Sequence, residues 1–90
     1  MQPFKTLSAE EACDVVETGE ALVVDIRDPQ SYAAAHLPTA FNLNNSNIGE
    51  FLHQNDRAAT VVVYCYRGHA SQSAAAYLAE QGFAEVFSVE

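Results

Sequence analysis

Residues 60–71 read Thr-Val-Val-Val-Tyr-Cys-Tyr-Arg-Gly-His-Ala-Ser, and this stretch decides the fold. Its apolar first part predicts a strand over 60–64 that is buried on both faces, as in a parallel sheet. A short polar segment containing a glycine follows, and an Ala-rich pattern then predicts a helix over 70–81. Cys65 therefore stands where a strand ends and a helix soon begins, the place at which open α/β sheets bind ligands.

The rest of the chain alternates between strand and helix patterns in the same way. Residues 21–26 form a second apolar run, interrupted only by Asp25 near its end, and this run is expected to be a strand. Residues 85–89 are expected to form a last strand. This alternation predicts an α/β fold, an open and mostly parallel sheet with helices on both faces. Shorter elements are expected as strands at 4–6 and 41–43 and as a loop or short helix over 28–35 that Pro38 stops. A helix capped by Ser46 is expected to carry Ile48, Phe51 and Leu52.

The first helix has clear signals at both ends. Ser8 and Glu11 form a capping box, in which each side chain bonds to the backbone N–H of the other residue. Gly19 is expected to end this helix, and Gly82 to end the helix over 70–81, because glycine tolerates left-handed backbone. Cys13 is interpreted as a small apolar filler of the first helix. The expected apolar face of the helix comprises Leu7, Ala12, Val15 and Val16.

Composition excludes several classes of function. Ninety residues predict a single domain over 1–90, and the net charge of −8, with 12 acidic residues against 4 Lys and Arg, disfavours binding to nucleic acid or to anionic membranes. Cys13 and Cys65 match neither a disulfide framework nor the spacing of a zinc site. The chain shows no signal peptide and no apolar run of membrane-spanning length, so a reducing cytoplasm is the expected location.

The setting of Cys65 predicts a reactive thiol. A sulfur that faces backbone N–H groups and the positive end of a helix is more readily ionised. We expect the loop from Tyr66 to Ser71 to curl so that its N–H groups converge on the Cys65 sulfur and form an anion-binding nest. Gly68 either supplies a positive φ that this curl requires or belongs to an ordinary turn.

The remaining residues of that loop have several candidate roles. Tyr66 is expected to line the mouth of the site, and Ala70 to belong to the loop. Arg67 either attracts the anionic end of a substrate or is a solvated surface charge. His69 is interpreted as a residue that shapes the pocket or its charge rather than a general base. Ser71 is expected to cap the helix, and donation to the sulfur is a further possibility.

Two separate segments together resemble the rhodanese domain family. Residues 23–32 (Val-Val-Asp-Ile-Arg-Asp-Pro-Gln-Ser-Tyr) and 35–40 (Ala-His-Leu-Pro-Thr-Ala) resemble its first signature, which runs from an Asp-x-Arg strand end to a Gly-His-x-x-Gly-Ala turn. Cys65 with its loop resembles the second, the sulfur-carrying loop. Ala35 and Thr39 replace the usual glycines of the turn. The family usually has a further turn and helix after the last strand, and residues 1–90 include no counterpart of them. The resemblance therefore implies a C-terminally incomplete rhodanese domain, with a rhodanese-like fold that lacks this helix.

The resemblance implies a two-step sulfur transfer that needs no metal and no cofactor. The Cys65 thiolate would attack thiosulfate, release sulfite and keep the outer sulfur as a persulfide. Cyanide in an assay, or a cellular thiol such as reduced thioredoxin, would then remove that sulfur. The resemblance also assigns His36 to a structural turn. Asp25 and Arg27 lie two positions apart on a strand and therefore on one face, which favours a supporting ion pair that anchors the active loop.

Three other functions compete with this hypothesis. Phosphatases and arsenate reductases of the Cys-x5-Arg kind require an arginine six residues after the cysteine, where this chain has Ser71. Rhodanese-like domains also serve as non-catalytic binding modules, usually with the cysteine replaced, whereas Cys65 is present here. A thioredoxin-like redox function would require a Cys-x-x-Cys motif, which the sequence lacks.

Overall fold

A computed structural model describes residues 4–19, 21–35, 40–44, 46–65 and 69–89 of the chain. Strands and helices alternate along the whole described chain, as predicted. The elements are β1 (Lys5–Leu7), α1 (Ala9–Glu17), β2 (Ala21–Asp25), α2 (Pro29–Ala34), β3 (Phe41–Asn42), α3 (Ile48–Gln54), β4 (Thr60–Tyr64), α4 (His69–Glu80) and β5 (Glu85–Val89).

The described residues form five strands in one sheet, in the order β1-β5-β4-β2-β3. All four ladders between these described strands are parallel, which confirms the expectation of a mostly parallel sheet. In the central ladders, Asp25 of β2 pairs with Tyr64 of β4, and Val63 of β4 pairs with Ser88 of β5. The carboxyl ends of β2 and β4 therefore lie side by side, at the edge where Cys65 follows β4.

The chain crosses the sheet in both directions, and this places helices on both faces. The connections through α1 and α2 run toward the β3 edge, whereas those through α3 and α4 run back toward β1. Because parallel crossovers are right-handed, the two pairs of helices cover opposite faces. The main core lies on the face of α3 and α4 and comprises Val24, Leu43, Phe51, Val61, Val63, Ala75, Leu78, Phe83 and Val86.

The helix ends agree with most of the sequence signals. The capping box is confirmed, with Glu11 N–H donating to Ser8 Oγ at 3.1 Å and Ser8 N–H donating to Glu11 Oε1 at 3.0 Å. The bond from the Ser8 backbone, followed by that from its side chain, lowers the pKa of the Glu11 carboxyl. Gly19 and Gly82 both adopt positive φ, 75° and 104°, as expected of residues that end helices.

Several predicted element bounds are wrong by a few residues. The first strand covers Lys5–Leu7 rather than 4–6, so Leu7 belongs to β1 and not to the apolar face of α1. The N-cap of α3 is Asn47 rather than Ser46, and its side chain makes no capping bond. Instead, the Oδ1 atom of Asn44 accepts hydrogen bonds from the N–H groups of Ser46 and Asn47. The Asn44 side chain thus accepts from the backbone donors just before α3, and Ser46 does not cap this helix.

Among the described residues, no helix combines the length and the apolar character that crossing a bilayer requires. The predicted stop at Pro38 lies outside the described residues. The expectation that a further C-terminal helix is lacking stays a prediction.

Arg57 bonds to the C-terminal ends of both α3 and α4, at the amino edge of the sheet, whereas Cys65 lies at the carboxyl edge. Its Nε donates to Gln81 O at 2.8 Å, and its Nη1 donates to Leu52 O in the last turn of α3. The guanidinium also lies 5.1 Å from the centroid of the Phe83 ring. A cation among the last carbonyls of two helices satisfies acceptors that those helices leave unpaired and complements their dipoles.

We therefore expect Arg57→Ala to lower the free energy of unfolding by about 2–3 kcal/mol, because charge-assisted bonds to two helix ends are lost together. Arg57→Lys is expected to recover only part of this loss, since an ammonium cannot reproduce the planar fork. Urea denaturation measures both, with Lys5→Ala as the control that removes an exposed cation. Equal stability of the Arg57→Ala and Lys5→Ala variants would contradict this role.

Candidate active site

Cys65 directly follows β4 and is partly buried at the carboxyl edge of the sheet. Its Sγ accepts a hydrogen bond from the backbone N–H of Ser71 at 3.3 Å. Ser71 is the third residue of α4, which has twelve residues and begins at His69. The first N–H groups of a helix have no partner within the helix, and the helix dipole places positive potential there. The sulfur therefore occupies a position that favours a negative charge.

The predicted loop from Tyr66 to Ser71 is only partly a loop. His69, Ala70 and Ser71 form the first turn of α4. Ser71 is therefore not the helix cap, and the prediction of a capping role is wrong. Its N–H is one of the unpaired first-turn donors, and the sulfur accepts from it. Tyr66, Arg67 and Gly68 lie outside the described residues, so the convergence of their N–H groups on the sulfur stays a prediction.

The hydroxyl of Ser71 faces away from the sulfur and into the protein. Its Oγ lies 2.8 Å from the Oγ of Ser88 in β5, within hydrogen-bond distance. Both side chains are almost fully buried, with 0% of Ser71 and 1% of Ser88 exposed. Donation from the Ser71 hydroxyl to the sulfur is therefore not what the structure shows. The backbone amide of Ser71 contacts the sulfur, and its side chain contacts the sheet.

The predicted pairing of Asp25 and Arg27 is confirmed, and its geometry is bidentate. Arg27 Nε donates to Asp25 Oδ1 at 3.1 Å, and Arg27 Nη2 donates to Asp25 Oδ2 at 2.7 Å. The backbone N–H of Arg27 donates to Asp25 Oδ1 at 2.8 Å. The Asp25 side chain is fully buried, whereas 17% of the Arg27 side chain is exposed. The Asp25 carboxylate thus has no contact with bulk water, and the hydrogen bonds from Arg27 must compensate for its lost hydration.

Opposing effects act on the acidity of Asp25. Burial alone would raise the pKa of its carboxyl, but bonds from the Arg27 side chain, then from the Arg27 backbone and the Tyr64 side chain, outweigh burial and lower it. The bond to Asp25 in turn raises the pKa of the Arg27 guanidinium. Both groups are therefore charged at neutral pH.

The ion pair acts on the residue that precedes the thiol. The Arg27 guanidinium carbon lies 5.5 Å from the centroid of the Tyr64 ring, and Tyr64 also bonds to Asp25. Arg27 Nη2 further donates to Ala35 O, which links this corner to the end of α2. Side chains of consecutive strand residues leave on opposite faces, so the ion pair contacts Tyr64 on one side while Cys65 faces α4 on the other. Asp25 and Arg27 thus hold the residue that precedes the thiol and contact the end of α2.

Sequence reasoning missed an asparagine that holds the end of β2. The Nδ2 of Asn42 donates to Asp25 O at 3.1 Å and to Arg27 O at 2.9 Å. Asn47 Nδ2 donates in turn to Asn42 O at 2.9 Å, and Asn44 N–H donates to Asn47 Oδ1 at 2.8 Å. The Asn-rich composition of residues 42–47 is the signal for such backbone-satisfying side chains. These bonds fix the backbone beside the thiol on its β3 side.

A cleft of about 440 Å³ opens on the α4 side of this same edge. Ile26 lies on its wall, and Ile26 N–H donates to Tyr64 O at 3.2 Å, which places Ile26 beside Cys65 across the sheet. The lining is mostly apolar, with two polar side chains among the described residues. It consists of Ile26, Leu43, Asn44, Ile48, Ser73, Ala74 and Tyr77. A small organic group that occupied the cleft would lie next to the end of β4.

Other predicted residues fall outside the site. Cys13 is exposed on α1, so its interpretation as an apolar filler is wrong. It lies three residues after Glu10 and four before Glu17, on the polar face of the helix, and this spacing could have shown its exposure. His36 lies outside the described residues. Within the described part of the chain, no group of three or more His, Cys, Asp or Glu side chains is placed to hold a metal ion.

The lowered pKa of Asp25 makes a prediction about acid stability. The ion pair stabilises the fold above the unfolded pKa of about 3.9, and this contribution is lost as the pH falls through the lower, folded value. At neutral pH, Asp25→Asn is expected to lower the free energy of unfolding by about 2 kcal/mol, because Arg27 loses its charged partner. Urea denaturation should show this deficit shrinking as the pH falls below about 4.

Asp14→Asn provides the matched control, since Asp14 is an exposed carboxylate on α1. Its effect on stability is expected to stay within about 0.5 kcal/mol at every pH. A difference in the free energy of unfolding between the Asp25→Asn variant and the parent protein that stays constant from pH 7 to below pH 4 would contradict the stabilising role of the Asp25 carboxylate.

Comparison with known proteins agrees with this fold. The family model of the rhodanese-like domain matches residues 8–90. The structure of a rhodanese-like domain protein from Staphylococcus aureus superposes with a TM-score of 0.81 at 22% identity, covering 97% of this chain and 85% of that one. The human single-domain sulfurtransferase TSTD1 superposes with a TM-score of 0.73 at 22% identity, covering 91% of this chain and 85% of that one.

A third similar structure has a less certain description. It is a protein of unknown function from Rhodopseudomonas palustris, described as a possible tyrosine phosphatase. It superposes with a TM-score of 0.80 at 24% identity, covering 97% of this chain and 74% of that one. At these identities the three structures show a shared fold, whereas the family match extends over nearly the whole sequence. The chain belongs to the rhodanese-like domain family.

Proposed function

We propose that this protein is a thiosulfate sulfurtransferase that carries sulfur on Cys65. The observation that supports the proposal most directly is the hydrogen bond from the Ser71 N–H to the Cys65 sulfur at the start of α4. A backbone donor at a helix N-terminus favours a thiolate, which is the nucleophilic form of cysteine. The same donor suits a persulfide, whose sulfur atoms also accept hydrogen bonds.

In the first step the Cys65 thiolate attacks the outer sulfur of thiosulfate. A bond forms between Sγ and that sulfur while the sulfur–sulfur bond of thiosulfate breaks. Sulfite leaves with the electron pair of the broken bond, and Cys65 becomes a persulfide. Dividing the transfer into two displacements is ordinary covalent catalysis.

In the second step a nucleophilic acceptor removes the outer sulfur. Cyanide, or a thiolate such as that of reduced thioredoxin, bonds to the outer sulfur, and the electron pair of the Sγ–S bond returns to Cys65 as a thiolate. Neither step needs a proton to be placed on the enzyme. His69 therefore has no general-base role in the proposal, and the Asp25–Arg27 pair acts only as a support.

The proposal includes an anion-binding role for the loop after Cys65. Arg67 would attract the sulfonate end of thiosulfate, and Tyr66 and Gly68 would complete the mouth and the curl of the loop. The neighbouring cleft supplies room for the organic part of an acceptor. A reducing compartment such as the cytoplasm fits the proposal, because a free nucleophilic thiol persists where thiols are kept reduced.

The position of Ser71 argues against phosphoryl chemistry. A Cys-x5-Arg enzyme grips the phosphoryl oxygens with an arginine six residues after the cysteine. In this protein that position is Ser71, whose side chain is fully buried and faces Ser88. No guanidinium therefore reaches the sulfur from this position.

Sulfur loading tests the proposal on the intact chain. Incubation with thiosulfate is expected to add the mass of one sulfur atom to the protein, and the addition is expected to disappear on treatment with cyanide as thiocyanate forms. Cys65→Ala and Cys65→Ser are expected to fold but to lose both events, because the only proposed sulfur carrier is gone. Intact-mass spectrometry and a thiocyanate assay measure the two steps.

Cys13→Ser provides the matched control, because it removes the other thiol of the chain. It is expected to load and release sulfur as the parent protein does. Turnover that survives in Cys65→Ala would refute the assignment. Failure of the parent protein to load sulfur, combined with binding of a partner, would favour the non-catalytic module.

A second prediction concerns the pH dependence of the thiol. In the Cys13→Ser background, we expect iodoacetamide to alkylate Cys65 at an appreciable rate well below the pKa of about 8.5 of a free cysteine. The physical reason is stabilisation of the thiolate by the Ser71 N–H and by the start of α4. A rate that rises only around the ordinary thiol pKa would contradict this account.

A further inference from the structure

Two hydroxyl groups meet inside an otherwise apolar region behind Cys65. The Oγ atoms of Ser71 and Ser88 lie 2.8 Å apart, and both residues are at most 1% exposed. Val63, the register partner of Ser88 in β4, and Ala75, one turn along α4 from Ser71, are fully buried. The pair therefore lies beside residues of the main hydrophobic core.

Stability alone does not account for such a pair. Replacing both partners of a buried hydrogen bond with apolar groups of similar shape is often neutral or stabilising. What a hydrogen bond adds is direction, because it requires a particular distance and angle, whereas an apolar contact tolerates sliding. The pair at Ser71 and Ser88 thus fixes how the start of α4 sits on the sheet.

The position of Ser88 is fixed by the sheet, so its hydroxyl can hold the Ser71 side chain in place. It belongs to β5, which is paired on both sides, with Val63 of β4 opposite it in one ladder and Thr6 of β1 opposite it in the other. Ser71 is attached to that anchor by its side chain and donates its N–H to the Cys65 sulfur at 3.3 Å. Because both groups belong to one residue, holding the Ser71 hydroxyl also holds the direction of its amide.

We propose that Ser88 is a positioning residue for the nucleophile: through the Ser71 hydroxyl, it holds the Ser71 N–H on the sulfur and so favours the ionised form. The inference rests on the proposed role of Cys65 as the sulfur carrier. Ser88 does not touch the sulfur, and its effect passes through Ser71. Ser88, a buried residue of β5, would thus contribute to sulfur transfer at the partly exposed Cys65.

A double-mutant cycle separates positioning from stability. In the Cys13→Ser background, the four proteins are the parent, Ser88→Ala, Ser71→Ala and the double alanine variant. Urea denaturation gives the free energy of unfolding, and alkylation rate as a function of pH gives the ionisation midpoint of Cys65. The amide of residue 71 is present in all four proteins, so any change at the sulfur reflects its placement.

Ser88→Ala is expected to be less stable, because the Ser71 hydroxyl stays buried without its partner. The double variant is expected to regain most of that stability, because neither hydroxyl remains. By contrast, the pH midpoint of Cys65 ionisation is expected to be higher than in the parent both in Ser88→Ala and in the double variant. Alkylation and sulfur loading at pH 6 should then be about three- to tenfold slower than in the parent, equivalent to a rise of half to one pH unit.

Arg57→Ala serves as the control for general destabilisation. It is expected to lower stability from the opposite edge of the sheet without moving the ionisation midpoint. A midpoint that is unchanged in Ser88→Ala, or that returns to the parent value in the double variant, would overturn the inference. Failure of the parent to load sulfur would instead overturn the proposed function, while the alkylation data would still report whether Ser88 positions the amide.

Discussion

The contact on which the site depends is the hydrogen bond between one backbone amide and one sulfur atom. Cys65 directly follows β4, α4 begins four residues after Cys65, and the Ser71 N–H in the first turn of α4 donates to the sulfur. A free amide at a helix start needs an acceptor, and a thiolate needs donors. The strand–helix connection can satisfy both needs at once, so the proposed chemistry would follow from how this fold joins a strand to a helix.

The remainder of the structure keeps that connection in place from several sides. On the face away from the sulfur, the buried Asp25–Arg27 pair contacts Tyr64, the residue before Cys65. Along the sheet edge, Asn42 bonds to the carbonyls of Asp25 and Arg27. These polar groups would cost stability if they were unpaired, and each is paired with a charge or a backbone group. Cys65 is thus flanked by elements that these bonds hold in place.

The sequence predicts some of these features because their signals are local. The apolar runs at 21–26 and 60–64 fall on β2 and β4, since only strands buried on both faces are continuously apolar. The two-residue spacing of Asp25 and Arg27 predicts their pairing, and the pair forms although β2 ends at Asp25 and Arg27 lies just beyond the strand. The position of Cys65 at the end of β4 follows from the same reasoning.

Other features depend on contacts that no short-range rule describes. Ser71 resembles a helix cap by residue type, yet its hydroxyl bonds to Ser88, seventeen residues later, and only the fold brings them together. Asn42 is likewise far in sequence from the carbonyls it holds. The prediction for Cys13 is wrong for a different reason. Residue type suggests that a cysteine is buried, whereas its helical spacing from Glu10 and Glu17 places it on the exposed face of α1.

The central claim, that the Ser71 amide stabilises the ionised Cys65 sulfur, can be tested at that amide itself. In the Cys13→Ser background, a pH titration followed by ¹H–¹⁵N NMR would monitor the backbone resonance of Ser71. The account predicts a marked downfield shift of its amide proton as the pH rises, with a midpoint well below that of a free cysteine and equal to the midpoint of Cys65 alkylation. A Ser71 resonance that does not move while Cys65 ionises near its ordinary pKa of about 8.5 would contradict it.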